Sequence, residues 1–272
     1  MKISWIGAGN MTRSFLKGFE NSTGIVHHVS SRRQESIDLL RQDFHFVPHL
    51  DNKSCVRNAD IVVLAVKPQQ LHDVCEDIKD DIPEDAMVIS IAVGISIELL
   101  EKWLGNKHKL IRMMPTTAVS IQKGSIALCC NHKINTSDLQ KINSTFTQVA
   151  LLTPIQESDM NVFVSNSGSG IAFVYRLMKA FVSASVDYGI DEEDAKALVA
   201  QTFSAASEMA KVNDMDLNQL IINVSSKKGT TVEGLAILDQ SIDQLIHNTF
   251  EATQNRASEI QKELSSQYDS KS

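Results

Sequence analysis

Long hydrophobic runs are missing from this sequence. No apolar stretch approaches the ~20 residues that a membrane-spanning helix needs, which excludes a helical bilayer anchor. Runs of lysine and arginine are missing too. With a formal net charge of −7 and a pI near 5.6, the chain has no basic footprint for a phosphate backbone, so no nucleic-acid partner is expected. Residues 1–5 lead straight into glycines instead of the apolar core of a signal peptide, so no secretory leader is predicted. Cysteine is scarce. Cys55, Cys75, Cys129 and Cys130 form no C-x-x-C pair and have no histidine at ligand spacing, so no metal site is expected and a reducing cytoplasm fits best. Adjacent Cys129 and Cys130 close an apolar run and read as buried thiols directed to opposite faces of a strand.

What the chain does contain is ordinary for a globular protein: 272 residues, 43% hydrophobic and 22% charged, enough for two domains. Residues 1–155 alternate short Val/Ile/Leu runs with helical patterns, the signature of βαβ units around a parallel sheet. Strands are predicted at 2–6, 25–29, 61–66, 87–92, 109–113, 125–129 and 149–153, with a weaker one at 45–48. Helices are predicted at 11–20, 33–42, 69–78, 97–104 and 136–146. From Ser158 onward the pattern is helix after helix, with capping signals at Ser158, Asp191 and Asp239 and breaks at Gly189-Ile190 and Asn213-Asp214. The fold class is therefore an α/β Rossmann-type N-terminal domain, 1–155, followed by an all-α domain, 156–272. On the last helix Ile242, Leu245, Phe250, Thr253, Ala257, Ile260 and Leu264 form one apolar stripe, which suits either a partner subunit or the chain's own body.

The first strand runs into Gly7-Ala8-Gly9-Asn10-Met11-Thr12 and then a helix, the context a dinucleotide fingerprint requires. Gly7 permits a tight turn, and Gly9 lets backbone approach a pyrophosphate resting on the helix N-terminus. Thr12 stands where a third glycine is usual and is expected to hold helix and strand slightly farther apart. The second strand ends in Ser30-Ser31-Arg32-Arg33, with no acid to hold a ribose diol. Two guanidinium groups there suit a 2′-phosphate, so NADP(H) is preferred, with NAD(H) the lesser alternative. Ligands of open α/β sheets lie beyond the carboxyl ends of the strands. Ala65, Val66, Lys67 and Pro68, residues 92–94, and the segment containing Met114 and Pro115 are accordingly expected to line the crevice.

Five segments, GAGNM at 7–11, AVKPQ at 65–69, RMMPTTA at 112–118, SGSGIAFVY at 167–175 and SSKKGTTVEGL at 225–235, resemble the pyrroline-5-carboxylate reductase family. The resemblance spans nearly the whole chain. It implies NADPH-dependent reduction of 1-pyrroline-5-carboxylate to L-proline, the last step of proline biosynthesis. It further implies a helical domain that interlocks with a second subunit as a homodimer, with decamers among the family's higher oligomers. The imino acid would lie between the nicotinamide and the 225–231 loop. Backbone N–H groups, Ser225, Ser226, Gly229 and Thr230 would hold its carboxylate, and Thr231 would take the catalytic role of hydrogen-bonding the ring nitrogen. A cyclic imine arrives protonated, so no strong acid is required, and none of the eight histidines falls in these segments. All eight read as surface or strand-edge residues.

The family pattern is departed from at Thr116, Ala118, Ile171, Phe173, Lys227 and Lys228. Pro-Gly is usual where the two lysines stand, and a lysine forced to positive φ at the second position would cost on the order of 1 kcal/mol. These departures leave a second reading open, an NADP-binding paralogue with weak catalysis and a regulatory role. A third, a β-hydroxyacid dehydrogenase, needs a catalytic lysine that Lys179 does not supply at the right spacing.

Overall fold

Short β-branched runs bounded by glycine, proline and polar turns become strands here because the intervening amphipathic helices cover both faces of the sheet. The computed structural model describes residues 1–212 and 214–269, so the break read at Asn213 lies outside the described residues. The chain divides into two compact units, Met1–Gly168 together with the chain from Thr253 onward, and Ser169–Ala252. Position 155, drawn from sequence, marks the end of the sheet. The spatial division comes later, after a π-helical turn at Val164–Gly168, and it returns the end of the last helix to the first unit.

In the first unit β1 (Lys2–Ile6), β2 (Val26–Ser30), β3 (Val47–His49), β4 (Ile61–Leu64), β5 (Met87–Ser90), β6 (Lys109–Pro115), β7 (Gly124–Cys130) and β8 (Ala150–Pro154) form one sheet. Its order is β3-β2-β1-β4-β5-β6-β7-β8. All neighbours run parallel except β6 and β7, which a short 3₁₀ turn at Thr117–Ile121 reverses into an antiparallel pair. Helices α1 (Asn10–Gly18), α2 (Gln34–Arg41), α3 (Asn52–Val56), α4 (Pro68–Ile78), α5 (Ile97–Leu104) and α6 (Thr136–Phe146) flank it. Of these only α3 escaped the sequence reading, because five residues show too little of a helical period.

Each sheet face carries its own core. On one face Trp5, Phe15, Phe19 and Phe146 gather, with Trp5 and Phe15 ring centroids 5.0 Å apart. On the other, Leu64, Leu71, Ile78, Leu100 and Trp103 pack with Leu264 of α12 (Ile242–Asp269). Fully burying each such side chain contributes roughly 1.5–3 kcal/mol.

Several local readings are corrected. Cys130 is exposed while Cys55, Cys75 and Cys129 are buried: it shares a face with buried Ile126 and Leu128 but is the last residue of β7, at the strand's end. His108 is fully buried, not at the surface: Asn131 accepts from the Leu110 amide and donates to the His108 carbonyl at 3.1 Å, drawing that loop inward. Asp191 does cap α9 (Glu192–Val212), accepting from the Glu193 amide at 2.9 Å. Asp239 instead closes α11 (Thr230–Leu238), and Ser158 lies inside a 3₁₀ turn.

His27, half-buried beside Trp5, accepts a hydrogen bond from the indole N–H at 3.1 Å. Burial first, then the neighbouring His28, pushes its pKa down to about 4. The unfolded chain takes up this proton near pH 6.5 and the folded chain only near 4, so stability is steady above pH 6.5 and falls as pH drops toward 4. The loss attributable to His27 is about 3 kcal/mol at the bottom of that window. Urea midpoints measured from pH 7.5 to 4 should show a slope of this sign, to which His28, also lowered to about 4, contributes, and His27→Gln should reduce it without removing it. An equally steep profile in the variant would assign the slope elsewhere.

The second unit holds α8 (Gly170–Asp187), α9, α10 (Leu217–Asn223), α11 and the start of α12. Phe181 and Phe203 meet edge-on at 5.4 Å between α8 and α9. Within the chain alone, Tyr175, Leu198, Ile222, Ile237 and Leu245 stay exposed.

Candidate coenzyme crevice and substrate loop

The sheet order reverses between β1 and β4, and a crevice of about 930 Å³ opens there beyond the strands' carboxyl ends. Gly7, Ala8, Gly9, Asn10, Met11, Ser31, Arg32, Ala65, Val66, Lys67 and Pro68 all line it. The loop after β1 is tight for a steric reason. Gly7 has φ +115°, and a Cβ there would fall 2.8 Å from the Ala65 carbonyl oxygen. Thr12, fully buried, donates its hydroxyl to the Gly7 carbonyl at 2.6 Å and so closes the turn that a third glycine would have left open.

Two helices start at this crevice. Neither the cap residue of α1, Gly9, nor that of α4, Lys67 with Pro68 in the first turn, makes a side-chain capping hydrogen bond. The Arg13 amide bonds to the Gly9 carbonyl at 3.0 Å, which leaves the Asn10 and Met11 amides for an anion. A Cβ built on Gly9 meets nothing within 4 Å: it faces open crevice.

At the β2 end, exposed Arg32 and Arg33 line the crevice with Ser31, Ser36 and Asn52. Ser31 Oγ accepts from the Arg33 amide at 3.2 Å, and the Ser31 amide donates to the His49 carbonyl at 3.1 Å. Ser30 Oγ donates to Asn52 at 2.8 Å, tying β2 to α3. Among the described residues the lining includes three cations, Arg32, Arg33 and Lys67, and no carboxylate. Both helix termini, the open face of Gly9 and this charge fit a phosphorylated dinucleotide.

Ser36, Asn52, Gln70, Val74 and Ile91 line the crevice without having been singled out from sequence. Asn52 had one available signal, the Asp51 cap that starts α3 through the Ser54 amide at 2.7 Å. Met114 and Pro115 are not brought to this cavity. Both are buried in β6, and Met114 points with Ile97, Ala127, Cys129, Met160 and Val164 into a third core cluster.

The residues read as a substrate loop lie in the second unit. Ser225 donates its hydroxyl to the Ile221 carbonyl at 2.7 Å, finishing α10 instead of facing outward. A turn follows, with the Gly229 amide bonded to the Ser226 carbonyl at 2.8 Å, and Gly229 then caps α11 without a side-chain bond. Thr230 and Thr231 occupy the first exposed turn of α11. Lys228 sits at φ +63°, the left-handed conformation that glycine adopts without cost.

Comparison with known proteins follows this division of the chain. Residues 2–94 match the model for NADP oxidoreductase coenzyme F420-dependent proteins, and residues 157–260 match pyrroline-5-carboxylate reductase dimerisation. Pyrroline-5-carboxylate reductase from Vibrio alginolyticus is 32% identical, over 96% of this chain and 98% of its own. A solved pyrroline-5-carboxylate reductase from Coxiella burnetii superposes with a TM-score of 0.87 at 32% identity, covering 95% of this chain and 97% of that one. The pyrroline carboxylate reductase of Plasmodium falciparum, solved with NADP bound, gives 0.87 at 28% identity over 96% and 98%. A glycine-rich turn at the switch point, a cationic β2 end, a matched dimerisation region and identity along nearly the entire length converge on one assignment: this chain belongs to the pyrroline-5-carboxylate reductase family.

Proposed function

We propose that this protein reduces 1-pyrroline-5-carboxylate to L-proline, with NADPH as the preferred reductant and NADH a weaker one. The observation that carries the reading is the crevice at the β1–β4 reversal, cationic at its β2 end and with no carboxylate among its described lining residues, in a chain of this family. NADPH bound there supplies the hydride. The protein's own work is orientation and charge placement, since a cyclic iminium already carries the proton that its nitrogen keeps in the product. Gly7 to Met11 seat the pyrophosphate on the start of α1, and Arg32 with Arg33 pair with the 2′-phosphate.

In this reading the Gly229 to Thr231 segment binds the small anion. The free amides at the start of α11 and the hydroxyls of Ser226 and Thr230 take the carboxylate, and Thr231 accepts from the ring N–H. Ser225 acts indirectly, by fixing the end of α10. Thr231→Ala should lower kcat/KM for the imino acid about 10- to 100-fold, the weight of one hydrogen bond to a charged group, with NADPH affinity unchanged. Unaltered turnover in that variant removes Thr231 from the chemistry.

We further propose a homodimer through the helical region, assembling to a decamer, in the cytoplasm. The dimerisation match and the exposed apolar residues of the second unit support association, and scarce, unpaired cysteines suit a reducing compartment. No described helix is long and apolar enough to cross a membrane. Steady-state NADPH oxidation with pyrroline-5-carboxylate tests the activity directly. Tight NADPH binding without turnover would favour the regulatory reading that Lys227 and Lys228 motivate.

A further inference from the structure

We infer that the end of helix α12 is a positioning element for the coenzyme: Ile260 and Leu264 hold in place the loop between β5 and α5 that borders the nicotinamide end of the crevice. The inference rests on the crevice binding a nicotinamide dinucleotide. Ile91, Ala92 and Val93 line the crevice, and Gly94 follows them at φ +79°. A Cβ on Gly94 would fall 3.0 Å from Ile260 Cγ2, 3.1 Å from Leu264 Cδ1 and 3.5 Å from the Gln261 Cα, so α12 lies directly on the bare backbone of this loop.

The loop is fixed at its other end as well. Glu157 Oε1 accepts from the Ile97 amide at 2.9 Å, at the start of α5, and from Arg112 Nη1 at 2.9 Å. Arg112 is only 1% exposed, while the Glu157 side chain that it holds stays 34% exposed. Helix α12 is itself anchored: Asn161 donates to Ser258 at 3.2 Å, and Ala257 and Leu264 are each 4% exposed. Gly94 has no side chain with which to fix its own conformation. Its cover must therefore come from elsewhere, and α12 supplies it. A nicotinamide ring displaced by even ~1 Å from near-attack geometry reacts far more slowly, so cover this close to the ring's end of the crevice bears on rate as well as affinity.

The test compares NADPH with 2′,5′-ADP, which occupies only the adenosine half of such a site. Titration calorimetry of Leu264→Ala should show NADPH weakened about tenfold, and kcat lowered by a similar factor, while 2′,5′-ADP stays within about twofold of the unaltered protein. Leu264→Met should restore both NADPH affinity and kcat. Phe146→Leu, which loosens the core on the opposite sheet face, should change neither ligand. If Leu264→Ala fails to fold, Ile260→Ala at a partly buried position carries the same expectations. NADPH affinity and kcat both unchanged in the folded variant, or both ligands weakened in parallel, would overturn the positioning role. Failure of the unaltered protein to bind either ligand would overturn the coenzyme reading and this inference with it.

Discussion

Gly9→Val should leave the protein folded and abolish its binding of NADPH. Gly9 has φ −89° and ψ −174°, an extended conformation that any L-residue adopts, and its Cβ direction is empty to 4 Å. A Cβ at this position therefore meets no neighbour and requires no unfavourable backbone, and Tm should move by less than about 3 °C. The branched side chain would, however, occupy the space through which a pyrophosphate reaches the Asn10 and Met11 amides, and the affinity should fall more than about 100-fold. Gly7→Val supplies the contrast. At φ +115° with a carbonyl oxygen 2.8 Å away, it should lose stability together with binding. Differential scanning fluorimetry and calorimetry on both variants separate the two effects. A Gly9→Val protein that binds NADPH normally would move the pyrophosphate out of this turn.

The second large effect is a change of coenzyme preference. Arg32→Ala should weaken NADPH about 10- to 100-fold and leave NADH nearly unchanged, because only the 2′-phosphate loses a charge-assisted partner. Both arginines are exposed at the rim, so added salt should narrow the gap between the coenzymes. Arg33→Ala combined with Arg32→Ala should bring the two coenzymes close to parity. Ratios of kcat/KM for NADPH and NADH across the three proteins measure this, and equal losses with both coenzymes would show that the arginines support the fold and do not read the phosphate.

Most of the first unit was legible before the structure. Strands at 2–6 and helices at 97–104 and 136–146 coincide with their predicted bounds, because continuous apolar runs and capping patterns are local signals. Even the expected strain at Lys228 was readable, since a turn that favours glycine keeps its backbone demand when glycine is replaced. The places where burial departs from the sequence reading have a common origin. Met114 sits at the carboxyl end of β6, where ligands are expected, yet alternation along that strand and the arrival of Met160 and Val164 turn it into core. Cys130 and His108 were misplaced for the same reason: exposure depends on what packs alongside.

The stripe on α12 does not have a single environment in the folded chain. Ile260 and Leu264 pack into a core cluster of the first unit and Ala257 is buried, whereas Leu245 remains 55% exposed. Nothing in the spacing of these residues distinguishes one half from the other.

Period, punctuation and charge along the chain determined that a glycine turn opens a βα series and that a cationic β2 end favours NADP(H), because each is set by residues adjacent in sequence. The three-dimensional structure decided that Glu157 secures the start of α5, that Thr12 closes the glycine turn and that Gly94 lies beneath Leu264. Apart from the Thr12 hydroxyl, which acts within its own turn, those contacts join segments far apart in the chain. A sequence records which residues are able to meet, but only packing selects the pairs that do.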